Sequence, residues 1–160
     1  MLLLITLGIG TLTGCGVWLL LRARSFDAFL REVVDPLARL RGRPLRVLDL
    51  GAGNGWLCYR VHQRGHRALA LDVRTDAVDG LGAGAAYRGG LPVMFSRVAG
   101  SFERLPLAEG AFDVAVFNAS LHYALDLARV VRGAVRAVAG GGRVVECVEG
   151  NNGVEEAGCP

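Results

Sequence analysis

Residues 47–56 read VLDLGAGNGW and place three glycines at alternate positions, 51, 53 and 55, directly after an apolar run that contains Asp49. The run has the composition of a buried β-strand, and residues 55–64 have the pattern of a helix. Glycines in the turn between them allow backbone conformations and close approaches that a side chain prevents. The stretch therefore predicts a strand, a tight turn and a helix, with room for a ligand against the turn.

From residue 45 onward, short β-rich runs alternate with helical stretches. The predicted strands cover residues 45–50, 68–72, 93–98, 112–118 and 142–148, and the predicted helices cover residues 55–64, 74–81 and 125–138. Residues 80–90, GLGAGAAYRGG, are predicted to form a glycine-rich loop before the third strand. Because strands and helices that alternate in this way are joined by crossovers, the sequence predicts one α/β domain with a parallel sheet covered on both faces.

An amphipathic helix is predicted over residues 25–40, ahead of the first strand. Apolar side chains recur there at spacings of three and four residues, which places them on one helix face. Ser25 is the expected N-cap. Pro36 is expected to interrupt the helix, because proline lacks an N–H group and its ring clashes with the preceding turn.

Residues 2–21 form an uncharged segment, mostly apolar, that is followed by Arg22 and Arg24. About 20 apolar residues can cross a bilayer as a helix, and the arginines would place the rest of the chain on the cytoplasmic side. A cleaved signal peptide or a lipoprotein cleavage box fits the segment less well. A buried helix or an unnatural start of the reading frame is the other interpretation. The chain is thus divided into a hydrophobic N-terminal segment at 1–24, a domain at 25–148 and a tail at 149–160.

Charge and cysteine content argue against several classes of function. The net charge is +3, and the basic excess lies in residues 1–46, whereas a nucleic-acid-binding domain would normally carry its basic excess on the folded core, so direct binding of nucleic acid is disfavoured. The four cysteines are scattered without a C-x-x-C pair, which argues against a zinc site and a disulfide framework and favours a reducing cytoplasmic setting. Neither a metal nor a direct nucleic-acid partner is expected.

The spacing of the glycines separates two classes of ligand. A dinucleotide-binding turn reads G-x-G-x-x-G, which would need glycine at position 56, where this chain has Trp56. Residues 49–55 instead read D-x-G-x-G-x-G, and this pattern resembles the first motif of class I S-adenosylmethionine-dependent methyltransferases. An NAD-dependent oxidoreductase is the less favoured alternative.

Later stretches strengthen this resemblance. ALALDV at 68–73 ends in an acid followed by valine, as in the family's second strand. GSFERLPLAEGAFDVAVFNASLHY at 100–123 is similar to the family's later motifs, and VAGGGRVV at 138–145 is similar to the turn before its fifth strand. The match covers residues 45–148. It implies a Rossmann-like doubly wound parallel sheet and places the chain near the small-molecule branch that includes ubiquinone and menaquinone methyltransferases.

The resemblance also implies roles for individual residues. Asp49 and the glycine turn would hold the amino-acid end of S-adenosyl-L-methionine, and Asp72 would accept hydrogen bonds from both ribose hydroxyls. The implied cofactor-binding residues are Asp49, Gly51, Ala52, Gly53, Gly55, Asp72, Val73, Ser101, Phe102 and Asn118. His122 and Tyr123 are the candidate catalytic residues, with His122 as a general base. Methyl transfer chiefly requires an in-line approach by the acceptor, so positioning is expected to supply most of the acceleration.

Two features depart from the family pattern. Ser101 stands where the family commonly has aspartate, so the adenine is expected to be held less firmly. After the fifth strand only the tail at 149–160 follows, where the family commonly has two more strands. We therefore expect a sheet of about five strands, with the fifth as an exposed edge that promotes self-association. Such a truncated enzyme is expected to bind the cofactor better than it transfers methyl groups.

The predicted function is methylation of a small-molecule or lipid-like acceptor. The domain is expected in the cytoplasm, or held at the cytoplasmic face of a membrane by residues 2–21. A non-catalytic module that binds the cofactor is the alternative from a different functional class.

Overall fold

The computed structural model describes residues 20–88, 95–147 and 154–158. Its centre is one sheet with the strands β1 Arg46–Leu50, β2 Arg67–Asp72, β3 Ser96–Ala99, β4 Phe112–Asn118, β5 Val138–Cys147 and β6 Val154–Gly158. The strand order is β3-β2-β1-β4-β5-β6, with β1 to β5 parallel and β6 antiparallel to β5. The order reverses between β1 and β4, so their carboxyl ends form the crevice in which open α/β sheets bind ligands.

Helices cover both faces of the sheet, as the alternating pattern predicts. The helix α1 spans residues 20–41, α2 spans Trp56–Gln63 and α3 spans Leu127–Ala137. Shorter 3₁₀ segments lie at Leu81–Arg88, Phe102–Arg104 and Leu121–Tyr123. The prediction of a doubly wound, Rossmann-like parallel sheet is confirmed.

Alternation along the strands divides the core into two layers. In β1, Val47 packs with α1 and α2 on one face of the sheet, while Leu48 and Leu50 pack with α3 on the other. Each fully buried side chain of this size contributes roughly 1.5–3 kcal/mol to stability. Asp49 lies two residues after Val47, so the period of two places its carboxylate on the α1 and α2 face.

The helix α1 passes through Pro36 without being split. Leu30–Val34 form a π turn, in which the Asp35 N–H donates to the Leu30 carbonyl, and Asp35–Arg41 continue as α-helix. A widened turn of this kind accommodates a proline, whose missing N–H and bulky ring disturb the regular ladder. Ser25 is not the N-cap, because residues 20–29 are already helical.

The predicted helix at residues 74–81 is wrong. The Asp76 carboxylate accepts hydrogen bonds from the N–H groups of Val78 and Asp79, at 3.0 and 2.9 Å, and this local turn replaces helical hydrogen bonds. The predicted glycine-rich loop contains regular structure instead, the 3₁₀ segment Leu81–Arg88. Tyr87 fixes that segment by stacking on Tyr59 of α2, with ring centroids 4.7 Å apart.

The predicted exposed edge at the fifth strand is also wrong. Residues 154–158, assigned to a tail, form β6 and pair with β5 from Cys147 opposite Val154 to Arg143 opposite Gly158. An antiparallel strand takes up the N–H and C=O groups that an edge would leave unpaired, so β5 offers no edge for self-association.

The predicted membrane segment at 2–21 lies outside the described residues, except for Leu20 and Leu21 at the start of α1. Within the described ranges, no helix is both long enough and apolar enough to cross a membrane.

Candidate functional site

A cavity of about 880 Å³ opens at the carboxyl edge of the sheet, around the turn after β1 and the loops after β2, β3 and β4. The predicted site residues that line it are Gly51, Gly53, Asp72, Val73, Ser101, Phe102, Asn118, His122 and Tyr123. Asp49, Ala52 and Gly55 are buried and do not line its wall. The topology therefore brings most of the predicted site together at one place, while three of its members are buried and do not reach the cavity.

All three glycines of the turn adopt positive φ angles, +77° at Gly51, +53° at Gly53 and +77° at Gly55. A Cβ on Gly51 would lie 2.5 Å from the Cβ of Ser120, which is an impossible contact. A Cβ on Gly55 would lie 2.7 Å from the ring of Phe95. The first and third glycines are thus required by conformation and by protein packing, whether or not a ligand contacts them.

Asp72 is fixed by backbone donors at the end of β2. Its Oδ2 accepts the Gly53 N–H at 2.7 Å, and its Oδ1 accepts the Arg74 N–H at 2.7 Å. The carboxylate is 9% exposed and lines the cavity. Each carboxylate oxygen can accept a second hydrogen bond, so the group is oriented and still able to bind two hydroxyl groups.

Asp49 is 1% exposed, and its carboxylate is almost unpartnered. The Cys58 thiol is 3.6 Å from Oδ2, whereas Oδ1 has no hydrogen-bond partner among the described residues. Burial raises the pKa of Asp49 to about 7, although the hydrogen bond from Cys58 and the charge of Arg22 act in the opposite direction. A buried carboxyl in this state can take up a proton or a donor group near neutral pH.

The loop after β3 supplies one wall of the cavity. Ser101 accepts the Glu103 N–H at 3.1 Å and so caps the short turn Phe102–Arg104. Phe102 packs edge-on against Phe117, with ring centroids 6.0 Å apart. Ser101 thus has a local structural contact, which the sequence did not reveal, and its contact with adenine stays a prediction.

The helix α1 covers the site from the side of β4. Ser25 donates to Oδ1 of Asn118, with the oxygens 3.5 Å apart, and Asn118 is buried. Arg22, one turn earlier on the same helix face, lines the cavity. The sequence assigned Arg22 only to the flank of the apolar segment, because its place at the site depends on how α1 packs beside β4.

His122 and Tyr123 lie together on the rim of the cavity, in the turn Leu121–Tyr123. Their ring centroids are 4.0 Å apart, and Tyr123 is 70% exposed. Both side chains are accessible to an acceptor, and their catalytic roles stay predictions.

The loop after β4 has one contact and one backbone conformation that the sequence did not reveal. Ser120 donates through Oγ to the Leu50 carbonyl at 2.5 Å and so ties this loop to the end of β1. Ala119 has a φ of +50°, a conformation that costs a residue with a side chain roughly 1–2 kcal/mol. Strained backbone of this kind is concentrated at functional sites, and Ala119 lines the cavity beside Asn118.

The donor and acceptor groups around the cavity fit S-adenosylmethionine. Asp72 offers paired acceptors for a ribose diol, and Asp49 offers an unsatisfied carboxyl behind the turn for an amino group. In the part of the chain that the structure describes, no three His, Cys, Asp or Glu side chains are grouped to hold a metal ion. Cys58 and Cys147 are buried free thiols.

Comparison with known proteins identifies the family. The family model of a methyltransferase domain matches residues 48–145. An uncharacterized methyltransferase of Mycobacterium bovis is 33% identical over 121 residues, which cover 76% of this chain and 46% of that protein. The ubiquinone/menaquinone biosynthesis C-methyltransferase of Methylobacterium nodulans is 30% identical over 128 residues, which cover 76% of this chain and 48% of that protein. This chain thus spans about half the length of the curated relatives it matches.

A solved structure agrees with these matches. The S-adenosylmethionine-dependent methyltransferase from Mesorhizobium loti superposes with a TM-score of 0.55 and 31% sequence identity, over 64% of this chain and 46% of that one. The resemblance drawn from the glycine turn and Asp72 is therefore confirmed at the level of the family, the fold and the family's cofactor. This chain belongs to the class I S-adenosylmethionine-dependent methyltransferases.

Proposed function

We propose that this domain binds S-adenosylmethionine in the 880 Å³ cavity and transfers its methyl group to a small-molecule or lipid-like acceptor. The observation that carries this proposal is the Asp72 carboxylate. The Gly53 and Arg74 N–H groups, each at 2.7 Å, hold it at the cavity wall with acceptor capacity to spare. An oriented carboxylate of this kind matches a ribose diol.

The rest of the cofactor would be held by neighbouring residues. Asp49, behind the glycine turn, would receive the amino group directly or through water, which would satisfy its unpartnered Oδ1. Val73 and Phe102, on the cavity wall, would lie against the adenine. When bound, the cofactor supplies an electrophilic methyl group on a sulfonium, and the protein's task is to orient the acceptor and to limit the access of water.

The acceptor would approach from the rim formed by the loop after β4. His122 would accept a proton from the acceptor, and Tyr123 would position it. Tyr123 is 70% exposed and Leu125 is 93% exposed, so the rim presents an apolar surface. The similarity to a ubiquinone/menaquinone C-methyltransferase supports an acceptor with an apolar body.

Calorimetric titration with S-adenosylhomocysteine, and separately with NAD, tests the cofactor. We expect S-adenosylhomocysteine to bind and NAD not to bind. Asp72→Ala should weaken S-adenosylhomocysteine roughly tenfold or more, because charge-assisted hydrogen bonds contribute about 1.5–3 kcal/mol each. Asp79→Ala is the matched control, since it removes a carboxylate from the same cavity wall without a predicted ribose contact. Equal losses in the two variants would contradict the ribose assignment.

Methyl transfer is tested with labelled S-adenosylmethionine and a panel of small quinols, phenols and carboxylic acids. Transfer that falls in His122→Ala without loss of cofactor affinity would support His122 as the base. Tight cofactor binding without transfer to any acceptor would instead favour the non-catalytic binding module.

We also propose that residues 2–21 anchor the domain to a membrane, with the domain on the cytoplasmic side. The support is the uncharged segment itself and the arginines at 22 and 24 that follow it. Fractionation after a carbonate wash tests this proposal: the intact chain should stay in the membrane pellet. Recovery of the uncleaved chain wholly in the supernatant would contradict it.

A further inference from the structure

A second concave site lies beside the main cavity, and the proposed function does not account for it. This groove of about 440 Å³ runs between α3 and the turn Phe102–Arg104. Four arginine side chains line it, those of Arg104, Arg129, Arg132 and Arg136. We call it the arginine groove.

The positive charge of the groove is poorly compensated. Arg129, Arg132 and Arg136 are spaced by three and four residues on one face of α3, a helix without any acidic residue, so their charges repel one another. Among the described residues, Arg136 is the only one of the four whose guanidinium lies within ion-pair distance of a carboxylate, that of Glu109 at 3.8 Å. No described carboxylate pairs with the Arg104, Arg129 or Arg132 guanidinium.

One carboxylate does line the groove, that of Glu103. Its Oε1 accepts the Leu125 N–H at 2.7 Å, so this carboxylate already holds the loop after β4. The groove is therefore lined by four arginines and a single carboxylate. Arginine is well suited to bind phosphate and carboxylate groups, because its planar guanidinium can donate two parallel hydrogen bonds.

Leu105 and Gly133 form an uncharged part of the groove lining. Leu105 is buried there, and Gly133 faces it from the middle of α3, where a Cβ would lie 3.6 Å from Leu105 Cδ1. Glycine inside a helix costs roughly 1 kcal/mol relative to alanine. At this position it leaves open space among the arginines.

The groove adjoins the main cavity, because Phe102 and Glu103 line both. On the cavity side the rim is apolar, with Tyr123 and Leu125 exposed. A ligand that fits the whole surface has an anionic group and an apolar body.

We propose that the arginine groove binds the phosphate or carboxylate group of an amphiphilic methyl acceptor, whose apolar body lies across Tyr123 and Leu125. The identity of this ligand as the acceptor rests on the proposed methyltransferase function. Anion binding in the groove does not depend on that function.

The test is calorimetric titration of the full chain with octyl phosphate, octanoate, inorganic phosphate and octanol, each below any micelle concentration. We expect octyl phosphate or octanoate to bind more tightly than either inorganic phosphate or octanol, and the better of the two identifies the anionic group. Arg129→Ala/Arg132→Ala should weaken that ligand on the order of tenfold to a hundredfold. The matched control, Arg39→Ala/Arg67→Ala, removes the same charge from exposed positions outside the groove and should leave the affinity unchanged.

Titration with S-adenosylhomocysteine separates the two proposals. Its affinity should be the same in the parent and in the groove variant, which also shows that the variant is folded. If S-adenosylhomocysteine fails to bind the parent but the groove variant still loses octyl phosphate or octanoate, the cofactor proposal fails and anion binding stands. Equal affinity of the amphiphile for parent and groove variant would overturn the inference. It would also be overturned if neither amphiphile binds and only sedimentation with phosphatidylglycerol vesicles depends on Arg129 and Arg132.

Discussion

Each edge of the sheet buries a carboxylate, but one carboxylate is fully hydrogen-bonded and the other is almost unpartnered. At the amino edge, Asp113 is 0% exposed and accepts hydrogen bonds from Arg41, Arg43 and the Arg46 N–H. At the carboxyl edge, Asp49 is 1% exposed and receives only a thiol contact at 3.6 Å.

The difference appears in the two pKa values. Burial by itself would raise the pKa of Asp113, but hydrogen bonds from Arg43 and Arg46 hold it well below its ordinary value. Burial of Asp49, with little to offset it, raises its pKa to about 7. A fully paired carboxylate stabilises the fold. An unpaired one has oxygens without hydrogen-bond donors, and a ligand can supply those donors.

The largest expected effect is that of Asp49→Asn on the pH dependence of the free energy of unfolding. Because the folded-state pKa of Asp49 is raised from 3.8 to about 7, its contribution to stability is full below pH 3.8 and is lost as the pH rises through about 7. The loss in the parent is up to about 4 kcal/mol. Asparagine does not titrate, so the variant should gain stability relative to the parent across this window. Urea unfolding at several pH values measures it, and parallel curves for the two proteins would contradict the assignment.

Asp113→Asn should lower the free energy of unfolding at neutral pH by about 2–4 kcal/mol, because three arginines lose their shared partner. The contribution of Asp113 to stability changes with pH in the opposite direction to that of Asp49. The pKa of Asp113 is depressed, so its contribution is present above pH 3.8 and lost as the pH falls towards the lower folded-state value. Urea unfolding at pH 7 is the measurement. A loss below about 1 kcal/mol would show that the exposed Arg43 and Arg46 side chains contribute little.

Alanine substitutions at two glycines, one at each edge of the sheet, compare how strongly the backbone and its surroundings require glycine. Gly51 at the carboxyl edge and Gly42 at the end of α1 have φ angles of +77° and +60°. A Cβ on Gly51 meets Ser120 at 2.5 Å, whereas a Cβ on Gly42 has nothing within 4 Å. Gly42→Ala should therefore cost about 1 kcal/mol from conformation alone, and Gly51→Ala about 2–3 kcal/mol from conformation and overlap. Thermal unfolding of both variants checks this, and equal losses would mean that the loop after β4 moves aside.

The smallest effect is expected for Cys58→Ser, which replaces the weak thiol donor beside Asp49 with a hydroxyl. A stronger hydrogen bond to the ionised carboxylate lowers the pKa of Asp49, so the stability lost on raising the pH should shrink by about 1 kcal/mol. The stability curve of Cys58→Ala is the control, since it removes the donor and should steepen the loss. An unchanged curve in both variants would show that Cys58 does not donate to Asp49.

Local patterns predicted those parts of the chain whose structure is decided nearby. Residues 112–118 form β4 as predicted, because a run of seven residues rich in valine and phenylalanine is short for a helix and has the composition of a strand. The prediction of a helix at residues 74–81 was wrong, because the Asp76 side chain accepts hydrogen bonds from backbone N–H groups. Helical propensity does not take this competition into account. The prediction of a tail at residues 154–158 was wrong, because a short strand is stable only against a partner, here β5. Strand pairing is not a local property of the sequence.

The sequence by itself determined the family, the order of the first five strands and the edge of the sheet at which the site lies. The strands follow from hydrophobic periodicity, and the family and the site follow from a resemblance carried by short motifs such as the glycine turn; both depend on near neighbours in the chain. Only the tertiary structure decided that Gly51 is required by Ser120, that Asp49 is unpartnered while Asp113 is fully paired, and that α3 and the turn Phe102–Arg104 together form the arginine groove. The physical reason is that desolvation, close approach and charge accumulation depend on which distant segments meet, and the fold fixes this for all of them together.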